Sequence, residues 1–150
     1  MRTLLQIITT IAWALWLGGL VALFLFVTTL FRNNHEQAAH TAPQLFLAFE
    51  KYQIILAAVA VLGTLAWRWT HRSALLDTIL ILFALATGIS VLSSAVLTPR
   101  ILQMAADGLT HTPEFLKAHG ESMLAYTSET LLLLVAGIML PWAARSRQTT

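Results

Sequence analysis

Four long apolar stretches, Leu4–Phe31, Pro43–Trp69, Ala74–Leu97 and Pro113–Trp142, alternate with short polar connections along the 150-residue chain. A helix needs about 20 apolar residues to cross a hydrocarbon core about 30 Å thick, so each stretch can span a bilayer with slack for tilt. Backbone N–H and C=O groups in lipid find no water to bond, so a spanning segment satisfies them internally as a helix. The pattern predicts an all-α integral membrane protein. It is an antiparallel four-helix bundle of four transmembrane helices, a single domain over residues 1–150, with both termini on the same side.

Local signals set the expected boundaries. Arg32-Asn33-Asn34 stops the first run, and Pro43 and Pro113 suit the first turns of the second and fourth helices, where a missing N–H costs nothing. Thr98-Pro99-Arg100 ends the third run, and Pro141 lies near the close of the fourth. The connection Arg68-Trp69-Thr70-His71-Arg72 makes the second and third helices a tight hairpin, while the linkers 32–42 and 98–112 are longer, polar and on the opposite face. The first run is too long for the apolar core of a signal peptide, about 7–15 residues, and no small-residue cleavage site follows it, so it reads as a retained span.

Composition agrees with a lipid environment. Residues are 57% hydrophobic and 11% charged, against roughly a quarter charged in soluble domains. Cysteine is absent, which excludes disulfides and thiolate metal sites. The nine basic residues sit at segment ends rather than in a patch, which argues against nucleic acid as a partner despite a net charge of +2. Arg2, Arg68, Arg72, Arg145 and Arg147 fall on one side, against Arg32, Arg100 and Lys117 on the other. Basic residues in short loops favour the cytoplasm, so the expected location is the inner (plasma) membrane, multi-pass, with N- and C-termini cytoplasmic. Trp67, Trp69 and Trp142 agree as interfacial anchors on that side.

Ionisable groups at membrane depth are costly and mark candidate sites. Glu50 and Lys51 lie about two turns past Pro43, at a depth of roughly 10 Å. Adjacent residues point about 100° apart, so the two need different partners. Lys51 would snorkel to the headgroups while Glu50 pairs with Arg100 or Lys117, or else Glu50 lines an outward-facing cavity. On the fourth helix His119, Ser122, Tyr126 and Glu129 fall at i, i+3, i+7 and i+10, one stripe that must face the bundle interior or water. Gly120 beside it would admit a close neighbour. Glu129 is deepest, with Thr87, Ser90 and Trp13 as expected partners. It either bridges helices as a neutral acid or carries protons or a cation. Asp77 is expected to pair with Arg68, Arg72 or Arg2, and the small face of Thr87, Gly88, Ser90, Ser93 and Ser94, like Gly18-Gly19, is expected to serve packing. Of the histidines, His35, His40, His111 and His119 fall toward one face, but neither their spacing nor any HExxH-type motif supports a metal site. His119 remains a weak metal candidate because it opens the polar stripe.

The Trp16-x-x-Gly19 pattern, Leu97-Thr98-Pro99-Arg100 after the third run, and His119-Gly120-x-Ser122 opening the fourth resemble a bacterial family known as domain of unknown function 4149. Its eukaryotic relative is transmembrane protein 205, and the likeness extends over essentially the whole chain. An Asn often follows His-Gly-x-Ser on that helix in the family, where this chain has Tyr126. More distantly, the layout is similar to the copper-resistance protein D group and to four-span protoporphyrinogen oxidase, which implies metal handling or haem-linked redox work.

These readings leave three functional expectations. The leading one is a non-enzymatic module that binds a small ligand or a partner in an outward-facing polar pocket, with His119, Ser122, Arg100, Glu50, Tyr126 and Glu129 as candidate residues and no catalytic residue or cofactor. The alternatives are a haem- or metal-associated membrane oxidoreductase, and a small proton- or cation-coupled transporter using Glu129. Beyond the lipid bilayer, the Gly and Ser faces leave room for a homo-oligomer or for assembly into a larger membrane complex.

Overall fold

The computed structural model describes residues 2–145 and, within them, all side chains but that of His35. Arg147 and the His35 imidazole therefore lie outside the described residues. The chain forms α1 (Arg2–Asn33), α2 (His35–Thr70), α3 (Ala74–Leu92), a π-helical turn (Ser93–Leu97), α4 (Thr98–Ala106) and α5 (Pro113–Arg145). Four stretches, Arg2–Asn33, Glu36–Thr70, Ala74–Ala106 and Pro113–Arg145, are long and apolar enough to cross a membrane. The protein is thus an all-α, four-span bundle. Helices α1 and α2 pack closely, α3 packs on α5 and α2, and α1 also touches α5. At the His71 end the Arg2 guanidinium donates to the Ala144 carbonyl, which joins the start of α1 to the end of α5. The other end carries Asn34 and the α4–α5 linker.

Two boundaries differ from the sequence expectation, each for a local reason. Helix α2 begins at His35 rather than Pro43, because Asn34 is extended and its side chain caps the Gln37 N–H at 3.1 Å. Pro43 therefore sits inside the helix rather than in its first turn. The third rod does not stop at Thr98-Pro99-Arg100 but runs on through α4. A proline inside an α-helix lacks an N–H and crowds the carbonyl four residues back. The π turn immediately before Pro99 changes that spacing, with the Thr98 N–H bonding the Ser93 carbonyl five residues back. The actual stop is Gly108, at φ 73°, where Gly108 N–H bonds Ala105 O and Leu109 N–H bonds Met104 O, a Schellman end that only glycine adopts without strain. Pro113 opens α5 as expected.

The interior is built from large aromatic and aliphatic side chains between small ones. Trp16, Trp67, Phe83, Leu76, Ile79 and Leu133 are fully buried, with Ala57, Ala60, Ala86, Ala136 and Ala143 filling the close crossings. A β-carbon on Gly137 would come within 2.0 Å of the Trp13 ring, and one on Gly19 within 2.6 Å of Phe49, so both glycines mark close approaches. By contrast, Gly18, Gly88 and Gly120 have no neighbour within 4 Å of such a carbon, which corrects the close packing expected of them.

Candidate functional site

Buried polar side chains concentrate at one depth, although Thr9, Thr64 and His71 are buried toward the His71 end. Between Glu129 and the His71 end, α5 turns inward Leu133, Ala136, Gly137, Leu140 and Ala143, and α3 turns in Leu76, Ile79, Phe83 and Ala86. Toward the Asn34 end the same faces carry Ser122 and Glu129 on α5, Ser90 and Ser93 on the third rod, Thr98 on α4, and Glu50 and Gln53 on α2. Their spacing explains the grouping. Glu50 and Gln53 are three apart on α2, as are Tyr126 and Glu129 on α5 and Ser90 and Ser93 across the π turn, and residues three apart share a helix face.

The first cluster surrounds Glu50, which is 4% exposed. Its Oε1 accepts from the Tyr126 hydroxyl at 3.0 Å and from the Thr98 hydroxyl. Tyr126 is held from the side by Phe46, ring centroids 5.6 Å apart. One turn deeper, the Gln53 amide donates to Ser90 Oγ at 2.6 Å. The third cluster is the Trp16 indole N–H donating to Glu129 Oε1 at 2.8 Å, with Trp16 and Glu129 both 0% exposed. Tyr126, which bonds Glu50, lies one turn from Glu129 on α5, so the three clusters adjoin one another.

The six sequence candidates divide. Glu50, Tyr126, Ser122 and Glu129 all face the interior, and Tyr126 touches Glu50 directly. Arg100 and His119 are exposed, the His119 ring stacked at 6.1 Å on Phe115 one turn earlier. Glu50 takes hydroxyl donors in place of the ion pair expected with Arg100 or Lys117, because Lys117 as well as Arg100 points outward. Lys51 is exposed, directed away from its neighbour Glu50 as the 100° rule requires.

Glu129 also has a different partner from those expected. Thr87 bonds back to the Phe83 carbonyl at 2.7 Å, Ser90 is taken by Gln53, and the Trp13 indole donates to the Leu133 carbonyl at 2.7 Å. Trp16, one turn further along α1, supplies the bond instead. Asp77 pairs with Arg68 across the α2–α3 hairpin, as expected.

Gln53, Thr98 and Trp16 were the residues missed as site members. The spacing Glu50-x-x-Gln53 carried the signal for Gln53. Thr98 was hidden by being taken as a helix end, and Trp16 by being valued only as bulk beside Gly19. Several buried oxygens find no hydrogen-bond partner within the protein, among them Glu129 Oε2, Gln53 Oε1 and Ser93 Oγ. No group of three or more His, Cys, Asp or Glu in a metal-holding arrangement occurs among the described residues.

A model of the family described as Domain of unknown function (DUF4149) matches residues 11–110. The chain belongs to that family. The match takes in Trp16-x-x-Gly19, the Glu50–Gln53 face, the π turn and Thr98-Pro99-Arg100, and it ends before α5, so the likeness expected at His119-Gly120-x-Ser122 falls outside it. No curated protein and no solved structure matches the chain. Family membership fits a four-span membrane protein and brings no activity with it.

Proposed function

We propose that this protein is a non-enzymatic membrane module that binds a small ligand in the polar half of its interior, entered from the Asn34 end. The observation that supports this reading is the concentration of buried polar groups toward the Asn34 end, with Ser122, Glu50, Gln53, Ser90, Ser93 and Glu129 there. The other half, a mainly apolar plug around Phe83 and Leu133, holds the Thr9 and Thr64 hydroxyls and no buried acid among the described residues. Buried polar groups in a membrane helix are retained where they meet a partner, a cavity or a ligand. The exposure of Arg100 and His119 moves the centre of the site inward, from the rim to Glu50 and Glu129. The charge count puts the Asn34 end on the non-cytoplasmic face and the termini in the cytoplasm. Because the plug lies between Glu129 and the other face, binding from one side fits better than passage through the bundle.

The absence of cysteine makes the test direct. Single cysteines at Ser122, in the polar half, and at Ala136, in the plug, are treated in membranes with a small water-soluble thiol reagent. Ser122→Cys is expected to be modified and Ala136→Cys protected. Equal protection of both positions overturns the reading.

A further inference from the structure

Among the described residues the polar layer contains two acids and no base. Helix α1 contributes Trp16, α2 contributes Glu50 and Gln53, the third rod contributes Ser90, Ser93 and Thr98, and α5 contributes Ser122, Tyr126 and Glu129. The nearest cationic side chains on these helices, Lys51, Arg100 and Lys117, are all exposed. A carboxylate taken out of water without a partner is strongly disfavoured, so positive charge must come from outside the chain.

The two acids are not equally supplied. Glu50 has two hydroxyl donors on one oxygen. Glu129 has a single indole N–H on Oε1, and its Oε2 is buried with no partner. Two further buried oxygens of this layer share this condition, and Thr9 Oγ1 does so in the other half. Gln53 presents Oε1 while its amide N–H is spent on Ser90, and Ser93 presents Oγ, both residues being 0% exposed. Leaving such a group buried and unmade costs about 1–3 kcal/mol each. The three sit on the inward faces of three different rods. Gln53 is tied to Ser90, one turn from Ser93, and Glu50, one turn from Gln53, accepts from Tyr126, one turn from Glu129. The π turn that begins at Ser93 diverts the helical bonding at this point, so the hydroxyl is carried on a locally widened coil.

We propose that Glu129, Gln53 and Ser93 bind one small monovalent cation of the sodium class, which a proton on Glu129 replaces at low pH. This rests on the reading of the polar half as a ligand site and gives that ligand a chemistry. Hard cations take oxygen ligands, here one carboxylate, one amide carbonyl and one hydroxyl. A single uncompensated carboxylate balances a single positive charge. A proton alone would neutralise Glu129 but leave the Gln53 and Ser93 oxygens as they are, whereas a cation uses all three.

The experiment measures thermal unfolding of the full chain in lipid nanodiscs against sodium chloride, with choline chloride at equal ionic strength as reference. Sodium is expected to raise the melting temperature at alkaline pH and choline to have no such effect. The half-saturating sodium concentration should rise about tenfold for each unit by which the pH falls, once protons compete one for one. Glu129→Gln should melt in choline close to the wild type and lose the sodium effect. Ser93→Ala, a milder change, should weaken sodium binding severalfold and serves if Glu129→Gln does not fold. A sodium response no larger than that of choline overturns the proposal, as does a full response in either folded variant. A pH-dependent melting temperature with no sodium dependence also overturns it, in favour of protonation alone. The labelling of Ser122→Cys separates the two ideas. A labelled cysteine with no sodium effect removes the cation and keeps the pocket, whereas a protected one removes the pocket.

Discussion

Replacing Gly137 by alanine probes the tightest crossing in the bundle. The added carbon would lie 2.0 Å from Trp13 Cζ2 and 2.5 Å from Cε2, where ordinary carbon contact is about 3.5–4.0 Å. A rigid indole cannot yield by bending, so the ring or the helix must move by more than an ångström. The same ring is fixed by its N–H bond to the Leu133 carbonyl at 2.7 Å, and that movement breaks it. Overpacking costs about 1–3 kcal/mol, and the lost bond about 0.5–1.5 kcal/mol. The better helix propensity of alanine returns up to about 1 kcal/mol. The expected net loss is about 2.5 kcal/mol, within a range of about 0.5–4.5 kcal/mol. Unfolding in mixed micelles by titration with sodium dodecyl sulfate, followed by far-ultraviolet circular dichroism, reads it. Gly88→Ala is the control, since its added carbon meets nothing within 4 Å, and it should be neutral or slightly stabilising. In a Trp13→Leu background the penalty at Gly137 should shrink. If Gly137→Ala is as stable as Gly88→Ala, the close approach of α1 and α5 argued here is wrong.

Four further outcomes are expected. Tyr126→Phe and Thr98→Val should each destabilise by about 1–2 kcal/mol, and the double variant should depart from additivity because both hydroxyls serve one Glu50 oxygen, a coupling that a double-mutant cycle measures. Trp16→Phe removes the indole donor to Glu129 and should cost more than Glu129→Gln, which keeps an acceptor for the indole; denaturant titration ranks the two. Asp77→Asn, at the exposed end of the α2–α3 hairpin, should have a small effect on stability that fades with added salt. His119→Ala should change stability by no more than about 0.5 kcal/mol, since the ring is exposed and only stacks on Phe115.

The four spans were legible because bilayer thickness sets a length that apolar runs either meet or miss. The helix ends were legible only where the signal was local. Pro113 at the start of α5 obeyed the rule for a first turn. Pro99 did not stop the third rod, because a π turn can absorb a proline, and nothing in Ser93–Leu97 announces a change from four-residue to five-residue bonding. Gly108 was the better marker, a glycine with polar neighbours past the last apolar turn.

The site was half legible for a related reason. Periodicity tells which residues share a face of one helix, so Ser122, Tyr126 and Glu129 were found together on α5. It does not tell which face of another helix turns toward them. Arg100 was drawn in by depth and His119 by its place at the head of the stripe, yet both point outward, because at the Asn34 end long and polar side chains reach water at little cost. Gln53 and Thr98, which carry no charge, were passed over. In the interior, however, the neutral donors decide how the acids differ. Glu50 takes two hydroxyls on one oxygen, while Glu129, with the same functional group and deeper burial, has one indole N–H and an unused oxygen. Two carboxyls that look equivalent in the sequence thus become one held by the protein and one left to be completed from outside it.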